Sequence, residues 1–139
     1  MGSDLPPSGV GFDRGSHLNE PLRSQSPHLQ IEQIDGLLEA AGVEATRAIL
    51  DAFWRSTSDL MASLSEQVSG NALDLASQTA HAVKGSAANV GAQRLAETTA
   101  MFEAACQSGD HKAVIETLDA VIEDFAALRD QFETHLANA

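Results

Sequence analysis

Proline is absent from the chain after residue 27, and this absence constrains the fold more than any other feature of the sequence. Over residues 29–139, alanine supplies 23 of 111 positions. Proline costs about 3 kcal/mol inside a helix, whereas alanine is the residue that most favours one. This part of the chain is therefore predicted to be entirely α-helical.

The first 28 residues have the opposite composition. They contain all four prolines of the chain, four of its ten glycines and five serines, but no alanine. Such a stretch cannot bury enough apolar surface to order itself. We therefore predict a flexible linker over residues 1–28, in which 1–3 and 15–17 resemble residues left by cloning, followed by one helical domain over residues 29–139.

Length and charge set the class of protein. A chain of 139 residues forms one domain, and its 20 acidic against 8 basic side chains give a net charge of −12. This charge disfavours binding to nucleic acid or anionic lipid. No apolar run reaches the roughly 20 residues of a membrane span, and the lone cysteine, Cys106, can form no intrachain disulfide. We expect a cytoplasmic, monomeric protein that binds other proteins and does not insert into membranes.

Apolar periodicity divides residues 29–139 into five helical segments, the first of them short (29–41) and the second long (43–69). Amphipathic helices joined by short turns pack antiparallel. The predicted fold is therefore all-α, an up-down antiparallel four-helix bundle with a short additional N-terminal helix over one end. The side chains predicted to face the core, from the first segment to the fifth, are Ile34, Leu37, Leu38 and Ala41; Ile49, Phe53, Leu60 and Leu64; Leu73, Ala76, Ala80, Val83, Ala87 and Val90; Leu95, Thr99, Phe102 and Cys106; and Val114, Leu118, Val121, Ile122, Phe125, Leu128 and Phe132.

Two polar residues mark the starts of helices. Asn71, with Asp74 three residues later, has the pattern of an N-cap for the third segment. Asp110 follows Gly109 and is predicted to cap the fifth segment in the same way. Both predictions rest on side-chain oxygens accepting hydrogen bonds from unpaired backbone N–H groups.

The outer face of the third segment carries three unusual residues. At about 100° per residue, His81 lies about 130° from the centre of the core stripe and so faces outward. Gly85, one turn later, costs about 1 kcal/mol relative to alanine and leaves space beside the imidazole. A kink or a tight helix contact is the alternative reason for this glycine. Lys84 can reach the outer edge of the imidazole, although a lysine on a helix flank also serves solubility alone.

Acidic residues are missing around this histidine. The 22 residues from Leu75 to Ala96 contain no Asp or Glu, although they include His81, Lys84 and Arg94. We therefore expect a patch free of anionic neighbours, which suits a group that becomes a dianion. The alternative is chance in an alanine-rich helix.

The run His81-Ala82-Val83-Lys84-Gly85-Ser86-Ala87-Ala88-Asn89-Val90-Gly91-Ala92 closely resembles the signature of histidine-containing phosphotransfer domains, the HPt modules of multistep two-component phosphorelays. The likeness continues as far as Phe102-Glu103 and the Gly109-Asp110 turn. It implies that His81 accepts a phosphoryl group from the aspartyl phosphate of one receiver domain and passes it to another.

The same resemblance implies roles for three further residues. Lys84 corresponds to the charge-stabilising lysine, Gly85 to the glycine that lets the receiver approach, and Gly91 to the helix-turn glycine. We expect the receiver of a response regulator to dock on the outer faces of the second and third segments. The small or polar residues expected to admit it are Ser77, Gln78, Gly85 and Ala88.

The chain is accordingly predicted to be a phosphoryl carrier without kinase activity of its own. It needs no cofactor, because the Mg²⁺ of phosphoryl transfer is expected on the receiver. Whether it serves a hybrid sensor histidine kinase or stands alone stays open. The alternative function is a helical scaffolding bundle that binds a partner without carrying phosphate.

The other histidines predict no metal site. His17 and His28 lie in the predicted linker, and His111 and His135 lie at opposite ends of the fifth segment. The Glu-x-x-His pairs of di-iron bundles are absent from the sequence.

Overall fold

The computed structural model of the chain describes residues 26–138. They form four helices, with no strand in this range: α1 (Ile31–Ser69), α2 (Leu73–Asn89), α3 (Gln93–Ser108) and α4 (His111–Ala137). Each helix packs chiefly against its neighbours in sequence, and α1 also contacts α4, which closes the bundle. The predicted all-α bundle is confirmed.

Helix α1 is broken at Gly42, where the backbone has φ 87° and ψ 169°. Only glycine adopts this conformation readily. The break separates a short arm (31–41) from a long arm (43–69), which are the first and second predicted segments. The Gln33 amide of the short arm donates hydrogen bonds to the carbonyls of Ala88 and Asn89, at 3.1 and 3.0 Å. The short arm therefore covers one end of the bundle, as predicted.

The two predicted N-caps have different outcomes. Asp110 caps α4, because its Oδ1 accepts a hydrogen bond from the Ala113 N–H at 3.2 Å. The prediction for Asn71 is wrong. Asn71 has a left-handed φ of 58°, and Ala72 occupies the N-cap of α2 without a side-chain bond. Asparagine tolerates the left-handed region better than most residues, and the turn after α1 uses this property.

The predicted core stripes of α2 and α3 are buried, apart from partly buried Leu73. Three predictions elsewhere are wrong, because Ala41 is exposed and Ile49 and Ile122 are each 41% exposed. In α1, Ile34, Phe53 and Leu64 are buried as predicted, whereas Leu50 is buried in place of Ile49. The buried residues that periodicity missed include Thr46, Leu50, Thr57, Met61, Thr117 and Asp124.

Aromatic side chains fill the interface between α1 and α4. The ring of Trp54 lies 5.1 Å from that of Phe125 and 5.7 Å from that of Phe132, with edge-to-face packing in both pairs. Phe53 joins the same cluster at 5.2 Å from Trp54. Such rings bury large apolar areas, so this interface supplies much of the hydrophobic stabilisation of the bundle.

Part of the predicted linker lies on the bundle. Residues 1–25 fall outside the described residues, but the carbonyl of Pro27 accepts a hydrogen bond from the Arg94 N–H at 3.1 Å. Arg94 Nε donates to the carbonyl of Ser26 at 2.6 Å. Ser26 to His28, assigned to the linker from composition, thus contact the start of α3. Among residues 26–138, no helix has the length and apolar character to cross a membrane.

Candidate functional site

His81 lies near the middle of α2 and points away from the core. Its side chain is 71% exposed, as the helical periodicity predicts. The opposite side of α2 packs through small residues, namely Ala76, Ala80, Val83 and Ala87. The imidazole is therefore presented to solvent from a helix whose backbone is fixed by the core.

A carboxylate from α3 lies beside the imidazole. Glu103 Oε2 is 3.3 Å from His81 Nδ1, and Glu103 Oε1 accepts a hydrogen bond from Lys84 Nζ at 2.8 Å. The prediction that the histidine has no anionic neighbour is therefore wrong. The acid-free run is a property of the sequence around α2, whereas Glu103 approaches from the neighbouring helix.

The charge of Glu103 determines which nitrogen of the neutral His81 imidazole carries the proton. The hydrogen bond from Lys84 lowers the pKa of Glu103; burial opposes this effect, and the Lys84 charge and His81 reinforce it. Glu103 is therefore a carboxylate at neutral pH, and a carboxylate can only accept hydrogen bonds. We accordingly assign the proton of the neutral ring to Nδ1, which donates to Glu103.

The remaining ring nitrogen carries the lone pair. In this tautomer Nε2 is unprotonated, and it has no hydrogen-bond partner among residues 26–138. An exposed, unprotonated imidazole nitrogen is a nucleophile at neutral pH. The contact of Nδ1 with Glu103 therefore leaves Nε2 as the nucleophilic nitrogen.

Lys84 belongs to the same cluster. Its side chain is 35% exposed, and its ammonium binds the carboxylate that also contacts the imidazole. The positive charge predicted at this position is therefore offset by Glu103. The structure brings His81, Lys84 and Glu103 together as one hydrogen-bonded group on the α2–α3 surface.

Gly85 is not required by the packing of the chain itself. A Cβ built at this position meets no atom of residues 26–138 within 4 Å, and α2 continues through it without a break. A tight helix contact and a kink, the two structural reasons for this glycine, are therefore absent. Alanine would fit at no steric cost, so what Gly85 contributes is open surface one turn from His81.

The other predicted docking residues also lie on α2. Gln78 and Ala88 are exposed, and Ser77 Oγ accepts a hydrogen bond from Gln107 Nε2 at 3.3 Å. Gly91 is separate from this surface. It is buried in the α2–α3 turn with a φ of 76°, and an added Cβ would lie 3.4 Å from the carbonyl oxygen of Gln30. Its position suits the helix-turn role and places it away from the imidazole.

Glu103 is the site residue that the sequence analysis missed. It directly follows the buried Phe102 and lies three residues before Cys106 in α3, so periodicity places it at the edge of the core stripe. Helical spacing therefore shows that Glu103 lies beside the core stripe. It does not show which neighbouring helix this side of α3 faces.

Two further histidines among residues 26–138 have partners elsewhere in the fold. His135 Nε2 is 2.8 Å from Asp35 Oδ1, and His28 Nε2 is 3.3 Å from Arg94 Nη1. Within residues 26–138, no group of three or more His, Cys, Asp or Glu side chains is placed to hold a metal ion.

Sequence comparison places this site in a known context. A family described as the Hpt domain matches residues 48–131, which include every residue of the cluster. The histidine-containing phosphotransfer protein 1 of rice, Oryza sativa subsp. japonica, is 28% identical over 109 residues, which cover 77% of this chain and 74% of the rice protein.

Solved structures share the bundle. The histidine-containing phosphotransfer protein HptB of Pseudomonas aeruginosa aligns with a TM-score of 0.73 at 23% identity, over 83% of this chain and 99% of that one. The maize histidine-containing phosphotransfer protein ZmHP2 aligns with a TM-score of 0.66 at 24% identity, over 89% of each chain. At these identities the likeness concerns the fold alone.

Proposed function

Because this chain belongs to the Hpt domain family, we propose that His81 is the residue that carries its phosphoryl group. The function of the chain is histidine phosphotransfer in two-component phosphorelays, where Hpt proteins interact with response regulators and histidine kinases. One observation supports the choice of His81: its exposed Nε2 is free of partners among residues 26–138 while Glu103 engages Nδ1.

The transfer step follows from this arrangement. The Nε2 lone pair attacks the phosphorus of an aspartyl phosphate on a receiver domain. An N–P bond forms, and the P–O bond to the aspartate breaks, with its electron pair leaving on the aspartate carboxylate. The phosphorylated ring keeps its Nδ1 proton, and the Glu103 carboxylate balances the resulting positive ring charge. Transfer to a second receiver is the same step in reverse.

Lys84 is proposed to stabilise the phosphoryl group. Its ammonium and the imidazole contact the two oxygens of the same carboxylate, so both groups belong to one small patch of the surface. A phosphoryl dianion on Nε2 offers stronger acceptors than a singly charged carboxylate that is already shared. Lys84 then exchanges part of its bond to Glu103 for one to a phosphoryl oxygen.

The receiver is proposed to dock over the exposed face of α2. Gly85, Ser77, Gln78 and Ala88 are small or polar residues along this face, and the open space at Gly85 supports close approach. We place the Mg²⁺ of the reaction on the receiver. We also propose that the chain acts in the cytoplasm as a monomer without kinase activity, in agreement with its net charge of −12.

A labelling experiment tests the acceptor. The protein is incubated with a receiver domain charged by a labelled small-molecule phosphodonor. Wild-type protein should acquire acid-labile, base-stable label, His81→Gln should acquire none, and His111→Gln, changed at an exposed histidine of α4, should label normally. Label that persists in His81→Gln would move the acceptor elsewhere. Absence of label with every receiver would favour the scaffolding alternative.

The same assay tests Lys84 against the only other lysine of the chain, Lys112. Lys84→Ala should slow the transfer while the fold stays intact, because a charge next to the phosphoryl group is lost. Lys112 is exposed on α4, and Lys112→Ala should transfer at the wild-type rate. Equal rates for the two variants would remove the proposed role of Lys84.

A further inference from the structure

Residues 26–30, here called the N-terminal strap, cross the α2–α3 turn and bind it through the backbone. The Pro27 carbonyl accepts from the Arg94 N–H at 3.1 Å, and the Gln30 N–H donates to the Gly91 carbonyl at 2.7 Å. Arg94 lies in the first turn of α3, where backbone N–H groups lack partners within the helix. The strap therefore completes the hydrogen bonding of the helix pair that carries His81 and Glu103.

His28 lies at the centre of the strap in a defined protonation state. Its Nε2 is 3.3 Å from Arg94 Nη1, and its Nδ1 is buried without a partner among residues 26–138. A guanidinium can only donate hydrogen bonds, so Nε2 must be the unprotonated acceptor. His28 is consequently neutral while the strap is bound, and a second proton would put two donors face to face.

Two charged side chains act on His28 from the helices beneath it. Burial lowers its pKa from the ordinary 6.5, Arg94 of α3 lowers it further, and Asp124 of α4 acts in the opposite direction. Asp124 is 2% exposed and accepts a hydrogen bond from Thr98 Oγ1 at 2.7 Å. The net effect favours the neutral ring, in agreement with the hydrogen-bond geometry.

We infer that the N-terminal strap is an acid-sensitive clamp, which leaves the α2–α3 turn when His28 takes up a proton. A protonated ring loses its bond from Arg94 and gains a like charge beside it. Release returns the ring to water and frees the Arg94 N–H and the Gly91 carbonyl. This inference concerns the conformation of the chain and does not depend on phosphoryl transfer.

The direction of the pH effect follows from linkage. The released strap binds a proton at the ordinary pKa of histidine, and the bound strap only at a lower pH. The clamp is therefore fully stable above the ordinary value of 6.5 and weakens as the pH falls from there through the lowered pKa. The strap also contacts a carboxylate of α3, because Ser26 Oγ donates a hydrogen bond to Glu97 Oε1 at 2.6 Å, whereas His135 on α4 lies 2.8 Å from Asp35 of the short arm.

Amide hydrogen exchange of the full chain, followed by NMR, tests the clamp. Protection factors of the Arg94 and Gln30 amides, corrected for intrinsic exchange, are compared at about pH 7.5 and about pH 5.5, on either side of the ordinary pKa. Both should fall at the lower pH by about threefold or more, whereas the buried Val121 amide of α4 should not change. His28→Gln should abolish the dependence, and His135→Gln should preserve it.

Two outcomes would overturn the inference: constant protection of both amides in the wild-type chain, or an unchanged pH dependence in His28→Gln. Since His28→Gln can release the strap at every pH, a second measurement uses the wild-type chain. The His28 ring is titrated by NMR, and its pKa should lie below the ordinary 6.5. A value at or above 6.5 would also exclude the clamp.

Discussion

The α2–α3 interface and the α1–α4 interface of this bundle are built from different residues. The buried positions of α2 are alanines and one valine, whereas α1 and α4 meet through Trp54, Phe125 and Phe132. Small side chains let helix backbones approach closely, which brings Glu103 within reach of His81. Large aromatic side chains bury more apolar area. The site therefore lies at an interface with small α2 side chains, whereas the aromatic cluster lies at the α1–α4 interface, so we expect each to be changeable with limited effect on the other.

The largest expected effect is on stability. Phe132→Ala removes a fully buried ring from the α1–α4 interface and should lower the free energy of unfolding by about 3–5 kcal/mol. Denaturant unfolding measures this loss. The rate of phosphoryl transfer per folded molecule should stay near wild type, because Phe132 belongs to the aromatic cluster of the α1–α4 interface. A folded variant that transfers slowly would show that the two interfaces are coupled.

The next effect is on the chemistry of the α2–α3 interface. Glu103→Ala removes the acceptor that holds the proton on His81 Nδ1, so the transfer rate should fall about tenfold or more. Glu103→Gln keeps a carbonyl oxygen in the same place and should retain more of the rate. Transfer kinetics with one charged receiver measure both variants. Equal losses would mean that the charge of Glu103, and not its hydrogen bond, is what the imidazole needs.

The Glu103 variants also need a control for the loss of one negative charge from α3. Glu97→Gln, in the second turn of α3, changes the same residue type at a carboxylate that contacts Ser26 and Gln93. Its transfer rate should match that of the wild-type chain. A comparable loss in Glu97→Gln would assign the effect to the charge of α3 as a whole.

The sequence predicts single helices better than contacts between them. The stripes of α2 and α3 and the outward direction of His81 follow from helical spacing alone, which is a local property. Periodicity assigns the apolar residues Ile49 and Ile122 to the core, although both are 41% exposed. In the structure Thr46, Thr57 and Thr117 are buried instead, and the Thr117 hydroxyl is satisfied by the Ala113 carbonyl at 2.6 Å.

Helical spacing does not predict the contacts between helices that form the site. Whether Glu103 faces α2 or α4 depends on the rotation of α3 within the bundle. That rotation is set jointly by the side chains of all four helices. Ser26 to His28 were missed for a related reason, since a segment without periodicity can still bind the free backbone groups at a helix end.

The smallest expected effect is the one that separates stability from docking most directly. Gly85→Gln introduces a good helix former at an exposed position with open space, so the free energy of unfolding should rise by about 0.5–1 kcal/mol. The same side chain should collide with a receiver docked over His81 and weaken its binding about tenfold, or about 1.4 kcal/mol. Ala126→Gln, a similar enlargement on the exposed face of α4, should leave receiver affinity unchanged. Denaturant unfolding measures the first effect, and receiver titration measures the second. If Gly85→Gln stabilises the chain and also weakens its complex with the receiver, the glycine serves docking and not the stability of the fold. If Gly85→Gln binds the receiver as tightly as wild type, the partner approaches His81 from another side.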